Sequence, residues 1–113
     1  MATKSGWTVE VMSGAAQKEM QAQPESIQAD FFRVSQMIED VGPYKIPRHY
    51  RKKIEDDIWE IRLKGRDTIA RALYLKWVGM RVIVVHVFTK KKQHIDRRHI
   101  ELARKRAREL EYD

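Results

Sequence analysis

The sequence predicts one α+β domain over residues 1–113: an antiparallel sheet, a pair of N-terminal helices packed on it, and a C-terminal helix. Three observations lead there. Residues 58–89 contain three successive strand-like runs, the first alternating with period two and the other two β-branched and aromatic. Residues 25–41 carry an apolar stripe with the period of a helix, and the chain closes in a highly charged stretch with a narrower stripe. At 113 residues and 42% hydrophobic, the chain can build one core and is too short for two ordinary domains.

Trp7, Val9 and Val11 alternate with Thr8, Glu10 and Met12, as in a strand with one buried face, and Ser13 and Gly14 end it. Ala15–Gln23 is rich in helix formers, and Pro24 stops that pattern and opens the next helix. Ile27, Phe31, Val34, Ile38 and Val41 then form one stripe, closed by Gly42 and Pro43. Tyr44–Asp57 mixes Pro47 with Arg48, Arg51, Lys52 and Lys53 without a sustained period and reads as a basic connecting loop. In Ile58–Lys64, Trp59, Ile61 and Leu63 share one face and Glu60, Arg62 and Lys64 the other. Ile69–Val78 and Arg81–Thr89 are β-branched and aromatic and join at Gly79, which completes an antiparallel meander. The run Val82–Phe88 is apolar on both faces, so that strand should be central and covered on both sides. A helix from Arg97 to about Glu111 follows, with Asp96 as N-cap and Ile95 and Ile100 as a staple. Its stripe is Ile100, Ala103, Ala107 and Leu110.

Charge is unevenly spread. Residues 1–43 hold three basic against six acidic side chains, whereas residues 44–113 hold 20 basic against 10 acidic. Such a surface either solubilises the chain or gathers a polyanion, for which nucleic acid is the common intracellular choice. Zero cysteines exclude disulfides, thiolate metal sites and a cysteine nucleophile. The longest apolar run is too short for a membrane span and the N-terminus lacks a signal-sequence pattern, so a cytoplasmic protein without a membrane partner is expected. His49, His86, His94 and His99 include no i, i+4 pair, and there is no HExxH, Walker A, G-x-G-x-x-G or G-x-S-x-G pattern. No metal site and no cofactor is expected.

What remains is a set of charges on strands. Glu60 and Arg62 lie two apart on one face, Arg71 lies on the next strand, and Lys90 and Lys91 leave the third. Two readings stay open: cross-strand ion pairs on a wet sheet face, or a carboxylate among cations that meets an RNA phosphate. In the second, Glu60 is the base, Arg62, Arg71 and Lys91 stabilise the phosphate, and Tyr74 or a histidine is the acid. His86, among valines, is either a core histidine or a catalytic one on an open face.

The runs Ile58-Trp59-Glu60-Ile61-Arg62, Arg71-Ala72-Leu73-Tyr74, Val85-His86-Val87-Phe88-Thr89-Lys90-Lys91 and Ile100-Glu101-Leu102-Ala103-Arg104-Lys105-Arg106, in this order, resemble the RelE/ParE toxin superfamily. Within it the sequence most resembles the phage-derived HigB-type branch, over about residues 5–110. The resemblance implies a RelE-like fold and the toxin half of a type II toxin–antitoxin pair. It also implies a metal-independent endoribonuclease that cuts mRNA on the ribosome and stops translation, neutralised by a small helix-turn-helix antitoxin. It places phosphate-handling cations at Arg62, Arg71 and Lys91, and admits Glu60 and His86 as proton-transfer groups. Further RNA contacts are expected at Lys64, Tyr74, Lys90, Lys92, Arg98 and Lys105. The chain departs from the branch at Asp96, where proline is usual; both residues can begin a helix. ParE-type relatives share the fold and act on DNA gyrase, and a non-catalytic nucleic-acid-binding module is the alternative from another class.

Overall fold

In the structure, a computed structural model, residues 4–77 and 79–110 are described. The elements are β1 (Thr8–Val11), α1 (Ala15–Gln21), α2 (Glu25–Val41), a 3-10 turn (Arg48–Tyr50), β2 (Arg51–Glu55), β3 (Ile58–Lys64), β4 (Ile69–Trp77), β5 (Arg81–Thr89) and α3 (Arg97–Leu110). The expected strand end at Val78 and helix end at Glu111 lie outside the described residues. Among the described residues, no helix is long and apolar enough to cross a membrane.

The five strands form one sheet in the order β1-β5-β4-β3-β2. The expected antiparallel meander is there as β3, β4 and β5, but the whole sheet is mixed, because β1 pairs parallel to β5. The basic loop expected over Tyr44–Asp57 is also corrected: Arg51–Glu55 is an edge strand antiparallel to β3. The turn Asp56–Asp57 closes that hairpin, with Asp56 at φ 49°, a conformation that aspartate tolerates better than most residues. Lysine-rich and irregular at Lys53/Glu55, β2 has the charges and the bulge that keep a sheet edge from pairing further.

The helices occupy both faces. Ile27, Val34 and Ile38 of α2 bury against Ile61, Leu63, Ala72, Tyr74, Val82 and Val84, whereas Ile100 and Ala103 of α3 bury against Ile58, Leu73, Leu75, Ile83 and Val85. Double coverage explains the uninterrupted apolar run of β5. The N-terminal helices do not form the pair expected on one face. α1 stands against β5, where its Met20 joins the core under α2 while its Glu19 binds Arg106 of α3.

Period two breaks once within β5. Leu73 of β4 faces His86 and Tyr74 faces Val84, so Val85 has no partner and forms a bulge. Beyond it His86 and Phe88 lie on the α3 side, opposite Leu73 and Arg71, and Val87 faces the α2 core.

The β3–β4 turn meets the start of α2 closely: the Arg66 amide donates to Ser26 Oγ at 3.0 Å, and a Cβ on Gly65 would lie 2.7 Å from that oxygen and 2.9 Å from Ile27 Cδ1. Ile27 is fully buried and has no room to yield. Gly65→Ala is therefore expected to destabilise the fold by about 1–3 kcal/mol, the usual cost of overpacking. Urea unfolding reads this directly, and an unchanged midpoint would show that the turn moves freely off α2.

Candidate active site

The bulge and the strand register bring four of the sequence-selected residues to the α3 side of the sheet. Glu60, Leu73 and His86 form one row across β3, β4 and β5, and Arg62, Arg71 and Phe88 form the next. Arg62 and Arg71 are directly opposite, a repulsive arrangement that Glu60 relieves. The Glu60 carboxylate accepts from Arg71 Nη1 at 2.9 Å and has Arg62 Nη2 at 3.8 Å.

Glu60 is 1% exposed and Arg71 4%, which makes theirs a buried ion pair rather than a contact on a wet face. Arg71 also donates through Nη2 to the Lys92 and Gln93 carbonyls at 3.1 and 2.9 Å. Its guanidinium thereby anchors the lysine loop that leaves β5. The role expected of Arg71 as a phosphate ligand meets a competing task, since both terminal nitrogens already have protein partners.

Beside this anchor lies an open cavity of about 310 Å³, lined by Arg71, Phe88, the run Lys90–Lys92, Arg98, His94 and His99. Lys91, Lys90 and Lys92 also line a neighbouring hollow with Lys64 and Arg66, and Arg62 lines a third with Arg48 and Lys52. The expected contacts Lys64, Lys90, Lys91, Lys92 and Arg98 thus gather around two adjoining depressions. Lys105, exposed on α3, lines neither.

Tyr74 is corrected. It is fully buried on the α2 side, where desolvation pushes its phenol up to about 12. It faces Val84, across the sheet from the cavity, and in this fold is neither an RNA contact nor an acid.

His86 is 4% exposed, and its ring is held at both nitrogens. Nδ1 lies 2.9 Å from Glu19 Oε1, and Nε2 lies 2.8 Å from His99 Nδ1. Glu19 also accepts the Val87 amide at 3.0 Å and two bonds from Arg106, at 2.8 and 3.0 Å. Arg106 Nη1 donates to the Val85 carbonyl as well, at 2.9 Å. His99 stacks flat on Phe88, with ring centroids 3.8 Å apart.

Glu19, His99, Arg106 and His94 were not singled out from sequence as site residues. Glu19 and His86 are 67 residues apart, and Arg106 lies 87 from Glu19, so no local pattern marks the set. Asp96 stands immediately before α3 as expected, but its carbonyl rather than its carboxylate accepts the His99 amide, at 3.0 Å, and the carboxylate faces Lys92 and Arg98. Among the described residues no group of three His, Cys, Asp or Glu side chains is arranged to hold a metal ion.

Burial pushes the Glu19 carboxyl up, but the hydrogen bonds from Arg106, His86 and the Val87 amide outweigh it and leave the group below its ordinary value. His86 is lowered by burial and by Arg106, against the pull of Glu19. His99 is lowered by burial and by His86 and Arg98, against Asp96 and Glu19.

Two outcomes follow. Because both histidines are depressed in the folded state, the unfolded chain binds protons that the folded one refuses. Stability is full above the unfolded histidine value of about 6.5 and falls as pH drops below it. Urea unfolding from pH 8 to 5 should show this loss, and His86→Gln should flatten it. Removing Arg71 alone leaves the buried Glu60 carboxylate with only the half-exposed Arg62, 3.8 Å away, so Arg71→Leu should cost about 3–5 kcal/mol, and the double variant Arg71→Leu/Glu60→Leu should recover much of that. Additive losses in that cycle would mean that the pair is not coupled.

No curated protein matches the chain in sequence. A known family does match, over residues 18–108, a span that takes in β2 to β5, α2 and nearly all of α3 and includes Glu19, His86, His99 and Arg106. That family is described as phage derived protein Gp49-like (DUF891) and falls within the RelE/toxin-like superfamily. With more than three-quarters of its length matched, the chain belongs to the phage derived Gp49-like family.

Proposed function

We propose that this chain is the toxin of a type II toxin–antitoxin pair, of the HigB type, and that it cleaves mRNA on the ribosome in the cytoplasm. The observation that carries the reading is the cavity, in which cations from β4, the lysine loop and α3 surround a histidine at the end of a partly buried hydrogen-bond chain. RNA offers that site a phosphate and an adjacent 2′-hydroxyl. A base takes the hydroxyl proton, the 2′-oxygen bonds to phosphorus, the bond to the 5′-oxygen breaks, and that oxygen takes a proton from water. Cations stabilise the charge that gathers on the phosphate. The chain's own side chains supply these tasks without a metal. Lys90, Lys91 and Arg98 are the phosphate ligands of the cavity, and Lys64, Lys92 and Arg62 extend the contact to the neighbouring hollows. The partner that silences it in the cell is a small helix-turn-helix antitoxin.

Inducing the protein alone should stop incorporation of labelled amino acids early, while thymidine incorporation continues. An early DNA-damage response with continuing translation would move the reading to gyrase, and no effect on either would leave a binding module. Each neutralised phosphate releases counterions, with a slope of about −0.7 per contact for single strands. Four or more contacts therefore predict that log affinity for ribosome-bound mRNA falls against log salt with a slope of roughly −3 or steeper. Lys91→Ala should make that slope shallower by about 0.7.

A further inference from the structure

The chain Arg106–Glu19–His86–His99 determines which nitrogen carries each proton. Arg106 Nη1 has two hydrogens, and they go to Glu19 Oε1 and to the Val85 carbonyl. None is left for His86 Nδ1, 3.4 Å away. Glu19 is ionised and only accepts, so the 2.9 Å contact requires His86 Nδ1 to be the donor. Neutral His86 then has a lone pair at Nε2, and the 2.8 Å contact requires His99 Nδ1 to donate to it. His99 is left with an unprotonated Nε2, on the ring that lines the cationic cavity. Protonating that atom breaks no bond in the chain, because Nδ1 still donates to His86.

Neither of the two proton-transfer groups that the family resemblance admits has such an atom. Both His86 nitrogens are occupied, and Glu60 is buried against Arg71. Resting on the RNA-cleavage reading, we propose that His99 is the catalytic base of this site, taking the 2′-hydroxyl proton on Nε2, and that Glu19 and His86 are positioning residues that fix its tautomer. The stack on Phe88 holds the ring plane, and the chain holds its rotation. The charges that face His99 come from every surrounding element. Glu19 of α1 and Asp96 favour its protonated form, whereas His86 of β5 and Arg98 of α3 oppose it; Arg71 of β4 and the run Lys90–Lys92 are the further cations of the cavity lining, and Arg106 of α3 is held by Glu19. The net effect keeps the imidazole neutral at pH 7.

The tautomer is read without activity, by long-range proton–nitrogen NMR of the imidazoles in the wild-type protein. His99 should carry its proton on Nδ1 with Nε2 bare, and His86 its proton on Nδ1; a His99 protonated on Nε2 at pH 7 overturns the proposal. With ribosomes and mRNA, His99→Gln should lower the single-turnover cleavage rate by about 10²-fold or more and remove the acid limb of its pH profile, with ribosome affinity unchanged. Glu19→Gln should move that limb to lower pH, since it removes the anion that favours the imidazolium while Arg106 stays; a purely structural role leaves the limb in place. Cleavage by His99→Gln at the wild-type rate overturns this assignment and leaves the ribonuclease reading standing. No cleavage by the wild type overturns both.

Discussion

Between Val84 and His86, β5 carries one residue more than the strand opposite it, and this bulge turns two successive side chains, Val85 and His86, toward α3. It lies where β1 has ended, because the last β1 pair is Val11 with Val84. The outer edge of β5 would there expose the Val85 carbonyl and the Val87 amide without a strand to meet them. Leaving a buried backbone group unpaired costs about 1–3 kcal/mol. Arg106 from α3 takes the carbonyl and Glu19 from α1 takes the amide, and the two side chains bind each other. The same two residues that finish the strand edge thus set the surroundings of His86. In this way the local need to satisfy a bulged strand and the chemistry of the site are met by one network.

The second constraint is electrostatic. Lys90, Lys91, Lys92, Arg98 and Arg71 around one cavity repel one another, and the fold tolerates them through a few counter-charges. Glu60 neutralises Arg71 from below, Asp96 stands between Lys92 and Arg98, and the Lys92 and Gln93 carbonyls hold the loop to the same guanidinium. Glu55 does similar work on the other side of α3, where it binds Arg97 and Arg104 and ties the β2–β3 hairpin to that helix. The lysine ammonium groups remain outside these pairings apart from Lys92, which leaves net positive charge at the cavity mouth. A polyanion that enters relieves repulsion already present in the free protein, so the binding is expected to be electrostatic in character.

The elements read well from local pattern. β3 and β5 have the bounds expected of them, α2 buries its apolar stripe from Ile27 to Ile38 while Val41 at its end stays exposed, and the opposed faces of β3 are sorted as Trp59, Ile61 and Leu63 against Glu60 and Arg62. These are properties of period and of buried area, which neighbouring residues carry among themselves. β2 escaped because its apolar content is a single isoleucine, Ile54, and its pairing with β3 comes from a hairpin whose only local sign is Asp56-Asp57. Tyr74 was misplaced in function for a related reason: an aromatic in a strand has two possible faces, and only the covering helix settles which is core.

By itself the sequence determined the α+β class, the basic C-terminal two-thirds, the shared strand face of Glu60 and Arg62, and a family signature that the match over residues 18–108 places within the RelE/toxin-like superfamily. Tertiary structure decided the site. Period two along Val82–Phe88 puts His86 on the same face as Val82 and Val84, and only the bulge reverses it. Glu19, His86, His99 and Arg106 come from three different elements, and a hydrogen bond across 67 residues leaves no trace in local spacing. Bulges and side-chain networks depend on which strand ends where and what packs over the gap, and those are decided by the fold as a whole.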